Sequence, residues 1–357
     1  MLEWSSMLIS HPAIAKAIRR IFVSAILFAF CAALPIHAQT LHGDMAPKPL
    51  FRDPVHDGAA DPTLIWNQAK KQWWMFYTNR RADQTPADPK DVAWLHQTRI
   101  GIATSSDHGV TWKYRGIADI PYGKPDYTQW APAIIHAKGA YHMFLTIVPG
   151  TFHDWNAPRF IIHLTSPNLE HWKFVSKLDL GSDRVIDACV FHLADGTWRL
   201  WYKDERDHSH IHFADSPDLK TWTPRGAAIT DRSSEGPIVF RWHDEYWMIV
   251  DAWHGLGVYH STDATHWQRQ PDNLLGTPGT LPTDRTLGHH ADVILSGQRG
   301  YLFYFTHQSG PDNDASLPHS NSRTVIQAAE LHWKDGILIV DRNQPTHIRL
   351  EPGESNR

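Results

Sequence analysis

The stretch Asp61-Pro62-Thr63-Leu64-Ile65-Trp66, followed across a polar turn by Trp73-Trp74-Met75-Phe76-Tyr77-Thr78, reads as a short apolar strand turning into an aromatic one. The unit returns four times. Trp130-Ala131-Pro132-Ala133-Ile134-Ile135 turns at Lys138-Gly139 into Tyr141-His142-Met143-Phe144-Leu145-Thr146. Ile186-Asp187-Ala188-Cys189-Val190-Phe191 turns at Asp195-Gly196 into Trp198-Arg199-Leu200-Trp201-Tyr202. Glu235-Gly236-Pro237-Ile238-Val239-Phe240 turns at His243-Asp244 into Tyr246-Trp247-Met248-Ile249-Val250, and His290-Ala291-Asp292-Val293-Ile294-Leu295 turns at Ser296-Gly297 into Tyr301-Leu302-Phe303-Tyr304-Phe305. Apolar runs joined by Asp-Gly or Lys-Gly are hairpin signals. Behind each of the first four hairpins lies a strand ending in a Ser-x-(Asp/Asn) turn and a tryptophan: Ser106-Asp107 to Trp112, Ser166-Pro167-Asn168-Leu169 to Trp172, Ser216-Pro217-Asp218-Leu219 to Trp222, and Ser261-Thr262-Asp263 to Trp267. The fifth unit instead runs Ala328-Ala329-Glu330-Leu331-His332-Trp333 into a Lys334-Asp335-Gly336 turn and Ile337-Leu338-Ile339-Val340. Each unit supplies four short strands in roughly 45–70 residues, the content of one propeller blade. The sequence therefore predicts an all-β chain, a five-bladed β-propeller forming a single domain over residues 39–357. An open sandwich would not need such regular aromatic hairpins.

The chain has 357 residues and a net charge of −4, which gives no reason to expect nucleic acid or an anionic lipid as partner. Seventeen tryptophans offer flat apolar faces that suit sugar rings and ordinary cores alike. Residues 1–38 read as a signal peptide: Arg19 and Arg20 precede an apolar stretch from Ile21 to Leu34, and Ile36-His37-Ala38 resembles a cleavage site. Met7 is an alternative start, and a retained membrane anchor is the competing reading of this segment. Its removal implies a secreted or periplasmic protein, no membrane partner, and a single cysteine, Cys189, so no intramolecular disulfide.

An antiparallel hairpin puts the start of its first strand and the end of its second on one face. In a propeller that face opens on the central channel. The first strands there carry Asp61, Trp130-Ala131, Asp187, Glu235 and His289-His290, with Asp292 close behind. Carboxylates at the mouth of apolar strands are costly to desolvate, and three on related positions converge on one pocket. Glycoside hydrolysis needs this inventory: one acid to protonate the leaving oxygen, one carboxylate to activate water or attack the sugar, and a third that can raise the acid's pKa. A carbohydrate substrate is the partner this implies.

Ala60-Asp61-Pro62, Ile186-Asp187-Ala188-Cys189-Val190-Phe191 and Glu235-Gly236-Pro237 resemble the three signature segments of the glycoside hydrolase family 43 superfamily, and the Ser-Pro-Asp-Leu-x-x-Trp turn resembles that group's blade motif. The resemblance implies that Asp61 is the general base, Asp187 the pKa modulator and Glu235 the general acid of an inverting, arabinosidase- or xylosidase-like enzyme acting on plant or algal oligo- or polysaccharides. This chain departs from the pattern at Ala188-Cys189, where a Pro-Ser-like pair is usual, and in its long loop from Arg80 to Thr98. Family 117, whose members act on anhydro-galactose ends of agar-type chains, is a close neighbour with much of the same pattern.

The ends of the second strands add substrate-binding candidates: Arg80 and Arg81 for hydroxyls or a sugar carboxylate, Trp130 and Trp253 for stacking, and His254, His290 and His307. Lys203-Asp204-Glu205-Arg206 occupies the same kind of position. No metal is assigned and no cofactor is required. In some family 43 members a histidine at the position of His290 contacts a channel calcium ion, so His290 beside Asp292 leaves room for a Ca2+. Cys189 reads as a buried, inert thiol. Three other readings compete. Ser105-Ser106-Asp107-His108-Gly109-Val110-Thr111-Trp112 matches the sialidase Asp-box, but it occurs once in full and no arginine triad accompanies it. A retaining fructosidase-type enzyme would use Asp61 as nucleophile. A non-catalytic carbohydrate-binding propeller would not need the acid trio.

Overall fold

The computed structural model describes residues 43–84, 92–314, 316 and 322–352; the expected signal peptide lies outside them. Five antiparallel four-stranded sheets follow one another along the chain, each in simple sequence order. The first blade is β2 (Ala59–Asn67), β3 (Gln72–Asn79), β4 (Arg99–Ser105) and β5 (Lys113–Ile117). The second is β6 (Thr128–Ala137), β7 (Ala140–Val148), β8 (Phe160–Ser166) and β9 (Lys173–Lys177), and the third is β10 (Val185–His192), β11 (Trp198–Asp204), β12 (His210–Ser216) and β13 (Thr223–Ile229). The fourth is β14 (Glu235–Trp242), β15 (Glu245–Asp251), β16 (Leu256–Ser261) and β17 (Gln268–Arg269), and the fifth is β18 (His289–Ser296), β19 (Arg299–His307), β20 (Thr324–Lys334) and β21 (Ile337–Val340). The first strands of the blades neighbour one another in order, and β18 returns to β2. This is the five-bladed β-propeller that the repeat predicts.

The ring is closed by the two ends of the described chain. β1 (Asp44–Met45) pairs with β22 (His347–Ile348), and Phe51 bridges to Ile326 in β20. One side-chain bond recurs at the seams: Cys189 Sγ in blade three accepts the N–H of Val239 in blade four at 3.2 Å, and Asp292 in blade five accepts the N–H of Leu64 in blade one at 2.7 Å. Cys189 is thus a buried acceptor between blades, and Asp292 is a buried staple that closes the ring.

The core lies between blades. Phe76 of blade one meets Trp172 of blade two edge-on at 6.1 Å, Phe144 meets Trp222 at 5.7 Å, and Trp201 meets Trp267 at 6.2 Å. Each such pair contributes roughly 0.5–1.5 kcal/mol beyond its buried area. The serine–aspartate turns aim these tryptophans: Ser216 Oγ accepts from Leu219 N, and Asp218 Oδ1 from Lys220 N and Thr221 N, which fixes the corner just before Trp222. The Asp-box at Ser105–Trp112 is the same device, Asp107 holding Thr111 while Trp112 packs into the seam between blades five and one. Its place in the fold is structural. Blade five lacks the turn, and its Trp333 is left 40% exposed.

Two buried histidines cross blade two. His142 Nδ1 lies 2.9 Å from His163 Nε2, His142 Nε2 lies 3.2 Å from the carbonyl of Ala137, and the His163 ring stacks on Phe144 at 4.6 Å. His163 Nδ1 has no hydrogen-bond partner, so a charged His163 would bury an unpaired N–H. Burial pushes His142 below the ordinary value and His163 down to about 3. Protons therefore bind the unfolded chain first, from pH 6.5 downward. The pair's contribution is complete above that pH and is lost as the pH falls from 6.5 towards about 3. His163→Phe is expected to flatten the fall in melting temperature between pH 6.5 and 4; parallel wild-type and variant profiles would remove the pair from the account.

Candidate active site

One local device builds the site. The first strand of every blade carries a bulge at its channel end: the pairing register shifts between Ala60 and Thr63, Trp130 and Ala133, Ile186 and Cys189, Glu235 and Ile238, and His289 and Asp292. Inside each bulge one residue is left-handed: Asp61 (φ 50°), Ala131 (φ 45°), Asp187 (φ 61°), Gly236 (φ 54°) and His290 (φ 24°). A bulge frees a backbone N–H and re-aims a side chain. The freed N–H groups are taken up across the seams: Ala131 N donates to Thr78 Oγ1 at 2.8 Å, Asp187 N to Thr146 Oγ1 at 3.1 Å, Gly236 N to Asp187 Oδ2 at 3.0 Å, and His290 N to Asp251 Oδ2 at 3.2 Å. Asp61 and Asp187 are true equivalents. Glu235 stands one residue earlier, where the other blades have Ala60, Trp130, Ile186 and His289, because Gly236 takes the left-handed position. A Cβ on Gly236 would stand 2.7 Å from Cγ of His290, so glycine is required there twice over.

The three acids open on a cavity of about 420 Å3, lined also by Arg80, Trp94, Trp130, Trp155, Trp253 and His290. His290 Nδ1 lies 3.5 Å and Arg80 Nη2 3.9 Å from Asp61 Oδ1. Trp130 is held edge-on by Phe152 and lies under Arg159. Trp253, 40% exposed, lies under Lys203. Lys203 Nζ reaches Glu235 at 2.8 Å and Glu205 at 3.3 Å, and Glu205 also holds Arg159 at 3.2 Å and Arg184 at 3.4 Å.

Three of the substrate-binding expectations fall outside the cavity lining. Arg81 turns to the carbonyl of His96 and to Gln97. His254, next to the left-handed Trp253, is exposed, and His307 packs edge-on against His289 and Phe305. In their place come Trp94 and Leu95 from the long loop, Trp155 and Arg159 from the connection after β7, Arg184, and Lys203, Glu205 and Ser209 around the end of β11. Among the described residues no group of three His, Cys, Asp or Glu side chains is arranged to hold an ion. The residues that left room for calcium have other contacts, His290 lying 3.5 Å from Asp61 and Asp292 accepting the N–H of Leu64 at the seam.

Their surroundings sort Asp187 and Glu235 oppositely. Burial raises Asp187 to about 7, with Glu235 and Asp61 adding to the rise against the opposing pull of His290 and Lys203. Burial would raise Glu235 too, but the ion pair with Lys203 outweighs it and holds Glu235 at about 2. His290 is pushed down by burial and more than recovered by Asp61, Asp187, Glu235 and Asp251, ending above its ordinary value. Burial thus favours the proton on Asp187, while Lys203 favours the charged form of Glu235.

No protein-family profile matches the chain, and no curated protein sequence matches it. Solved structures do. A thermostable family-43 glycoside hydrolase superposes with a TM-score of 0.61 at 19% identity, over 86% of this chain and 100% of that one. A family-43 β-1,3-galactosidase with galactodeoxynojirimycin gives 0.60 at 15%, over 84% and 97%. A family-43 enzyme from Xanthomonas citri complexed with xylose gives 0.56 at 17%, over 80% and 90%. The chain shares their fold.

Because the folded state holds a proton on Asp187 up to about pH 7 and the unfolded chain only to about 3.8, stability falls as pH rises through that window. Asp187→Asn keeps an acceptor for Gly236 N and removes the buried charge. It is expected to raise unfolding free energy at pH 8 by up to about 4 kcal/mol and by little at pH 4; equal effects at both, measured in urea, would contradict the assignment.

Proposed function

We propose that the chain is a glycoside hydrolase acting on plant or algal oligo- or polysaccharides by an inverting mechanism. The observation that carries this reading is the convergence of Asp61, Asp187 and Glu235, from three blades, on one cavity walled by Trp94, Trp130, Trp155 and Trp253. A pocket for a sugar ring needs flat apolar walls and a few aimed polar groups, and hydrolysis adds a base and an acid.

Asp61 acts as general base, its carboxylate flanked by His290 and Arg80, and takes a proton from the water that attacks the anomeric carbon. Glu235 acts as general acid and gives its proton to the departing oxygen. Glu235 starts as an ion paired with Lys203, so that pair must open and Glu235 must take up a proton before it can donate. Asp187 is the nearest reservoir in chemistry and connection: it holds a proton near neutrality and binds the backbone N–H of Gly236, which fixes Glu235 beside it. The likeness in fold to enzymes solved with xylose and with galactodeoxynojirimycin supports a sugar in this cavity. An arabinoside or xyloside is the first substrate class to try, and the anhydro-galactose ends of agar-type chains the second.

Turnover of aryl glycosides and plant and algal oligosaccharides, with the product anomer followed by NMR, tests the reading. Wild type is expected to release an inverted sugar. Glu235→Gln should lose about 10²–10⁴-fold on natural linkages and recover on dinitrophenyl glycosides, whose leaving group needs no acid. Asp61→Asn should lose both. Equal sugar binding by all three proteins with turnover by none would make the chain a carbohydrate-binding propeller.

A further inference from the structure

The cavity holds more cations than three catalytic acids require. Glu205 alone gathers Arg159, Arg184 and Lys203 at 3.2–3.4 Å. Arg159 is buried, its Nη2 donating to the carbonyl of Trp155, and Arg184 reaches the same carbonyl at 2.9 Å. Arg80 stands apart from them in the lining, its guanidinium between Phe305 at 4.6 Å and Trp94 at 5.5 Å, with Nε buried and without a hydrogen-bond partner. Four permanent cations thus face Asp61, Asp187, Glu205 and Glu235 across one cavity. The cations are unevenly placed: Arg159, Arg184 and Lys203 crowd on the single carboxylate of Glu205, so positive charge is concentrated on one wall of the cavity. Cations crowded on one carboxylate repel one another, and an arriving anion relieves that repulsion.

We propose that the sugar accepted here is anionic, carrying a carboxylate or a sulfate ester, and that Lys203 and Arg184 receive that group; this deepens the hydrolase reading and rests on it. Arginine presents a planar fork that matches either anion, and lysine a point charge. The consequence for chemistry is direct. Lys203 is the partner that keeps Glu235 ionised, so a substrate anion that competes for Lys203 loosens the pair and lets Glu235 take up its proton. The hydroxyls of a neutral sugar compete for the ammonium group more weakly.

The test compares oligosaccharides alike except for the acid: oligogalacturonates against neutral galacto-oligosaccharides, and sulfated against desulfated agar-type oligosaccharides. Binding is measured by calorimetry at roughly 0.05 and 0.5 M salt, and turnover in parallel. The acidic member of at least one pair is expected to bind tenfold or more tightly at low salt, with the preference shrinking at high salt; which pair responds separates carboxylate from sulfate. Arg184→Gln is expected to cut that preference tenfold or more, and Arg184→Lys, which keeps the charge if glutamine unfolds the wall, to cut it less. Acidic preference without any turnover upholds the proposal and overturns the hydrolase. Turnover or binding that favours the neutral sugars throughout, or no binding of either, overturns the proposal.

Discussion

Everything at the channel mouth depends on one backbone constraint, the left-handed bulge near the start of each innermost strand. An uninterrupted β2 or β10 would point alternate side chains into the two seams and would satisfy its N–H groups within its own blade. The bulge breaks that ladder once. It turns the side chains of Asp61, Asp187 and His290 to the cavity and leaves N–H groups that only the neighbouring blade can accept, through Thr78, Thr146, Asp187 and Asp251. Closing the ring and assembling the site are therefore the same event. Asp187 shows this most plainly: its N–H is held by blade two and its carboxylate holds the N–H of Gly236 in blade four.

Such a mouth is expensive. Left-handed backbone at non-glycine residues costs of order 1–3 kcal/mol each, and buried carboxylates add desolvation. The compensation lies in the seams, where Phe76–Trp172, Phe144–Trp222 and Trp201–Trp267 repeat one packing, and where Asp292 and Cys189 accept backbone N–H groups in related positions. With one cysteine among the described residues, no disulfide contributes. The pairing of Asp44 and Met45 with Ile348 and His347 binds the two ends together, so that the first and last blades cannot separate without unzipping it.

The fold was legible because the seam is a repeat: the same aromatic spacing had to recur for every blade, and five copies of a hairpin leave few other architectures. Asp61, Asp187, His290, Trp130 and Trp253 were legible for the same reason, since strand ends map to the channel. What a linear reading cannot give is which way a residue turns after the strand. Arg80 faces the cavity and its neighbour Arg81 faces a loop; Trp253, left-handed at φ 57°, enters the lining and His254 beside it does not. The offset of Glu235 was hidden too, because Gly236 leaves no side chain to mark the bulge. Arg159 and Arg184 carry no motif at all, and only the convergence of two connections on Glu205 brings them to the site.

Asp187 and Glu235 line one cavity, yet burial prevails in the first and a counter-ion in the second. Asp187 is the deeper of the two, and the ammonium group of Lys203, 2.8 Å from Glu235, favours the charge there. Lys203 belongs to neither acid's strand. It sits at the end of β11, shared between Glu235 and the Glu205 cluster, and both contacts are ion pairs that another anion can contest. A site arranged this way has its acid–base state set by what enters it. Burial favours a proton on Asp187, which orients Glu235, and Lys203 favours the charge on Glu235. Moving Lys203 towards a ligand reverses the order. If a substrate anion draws that lysine away, protonation of Glu235 becomes a property of the complex.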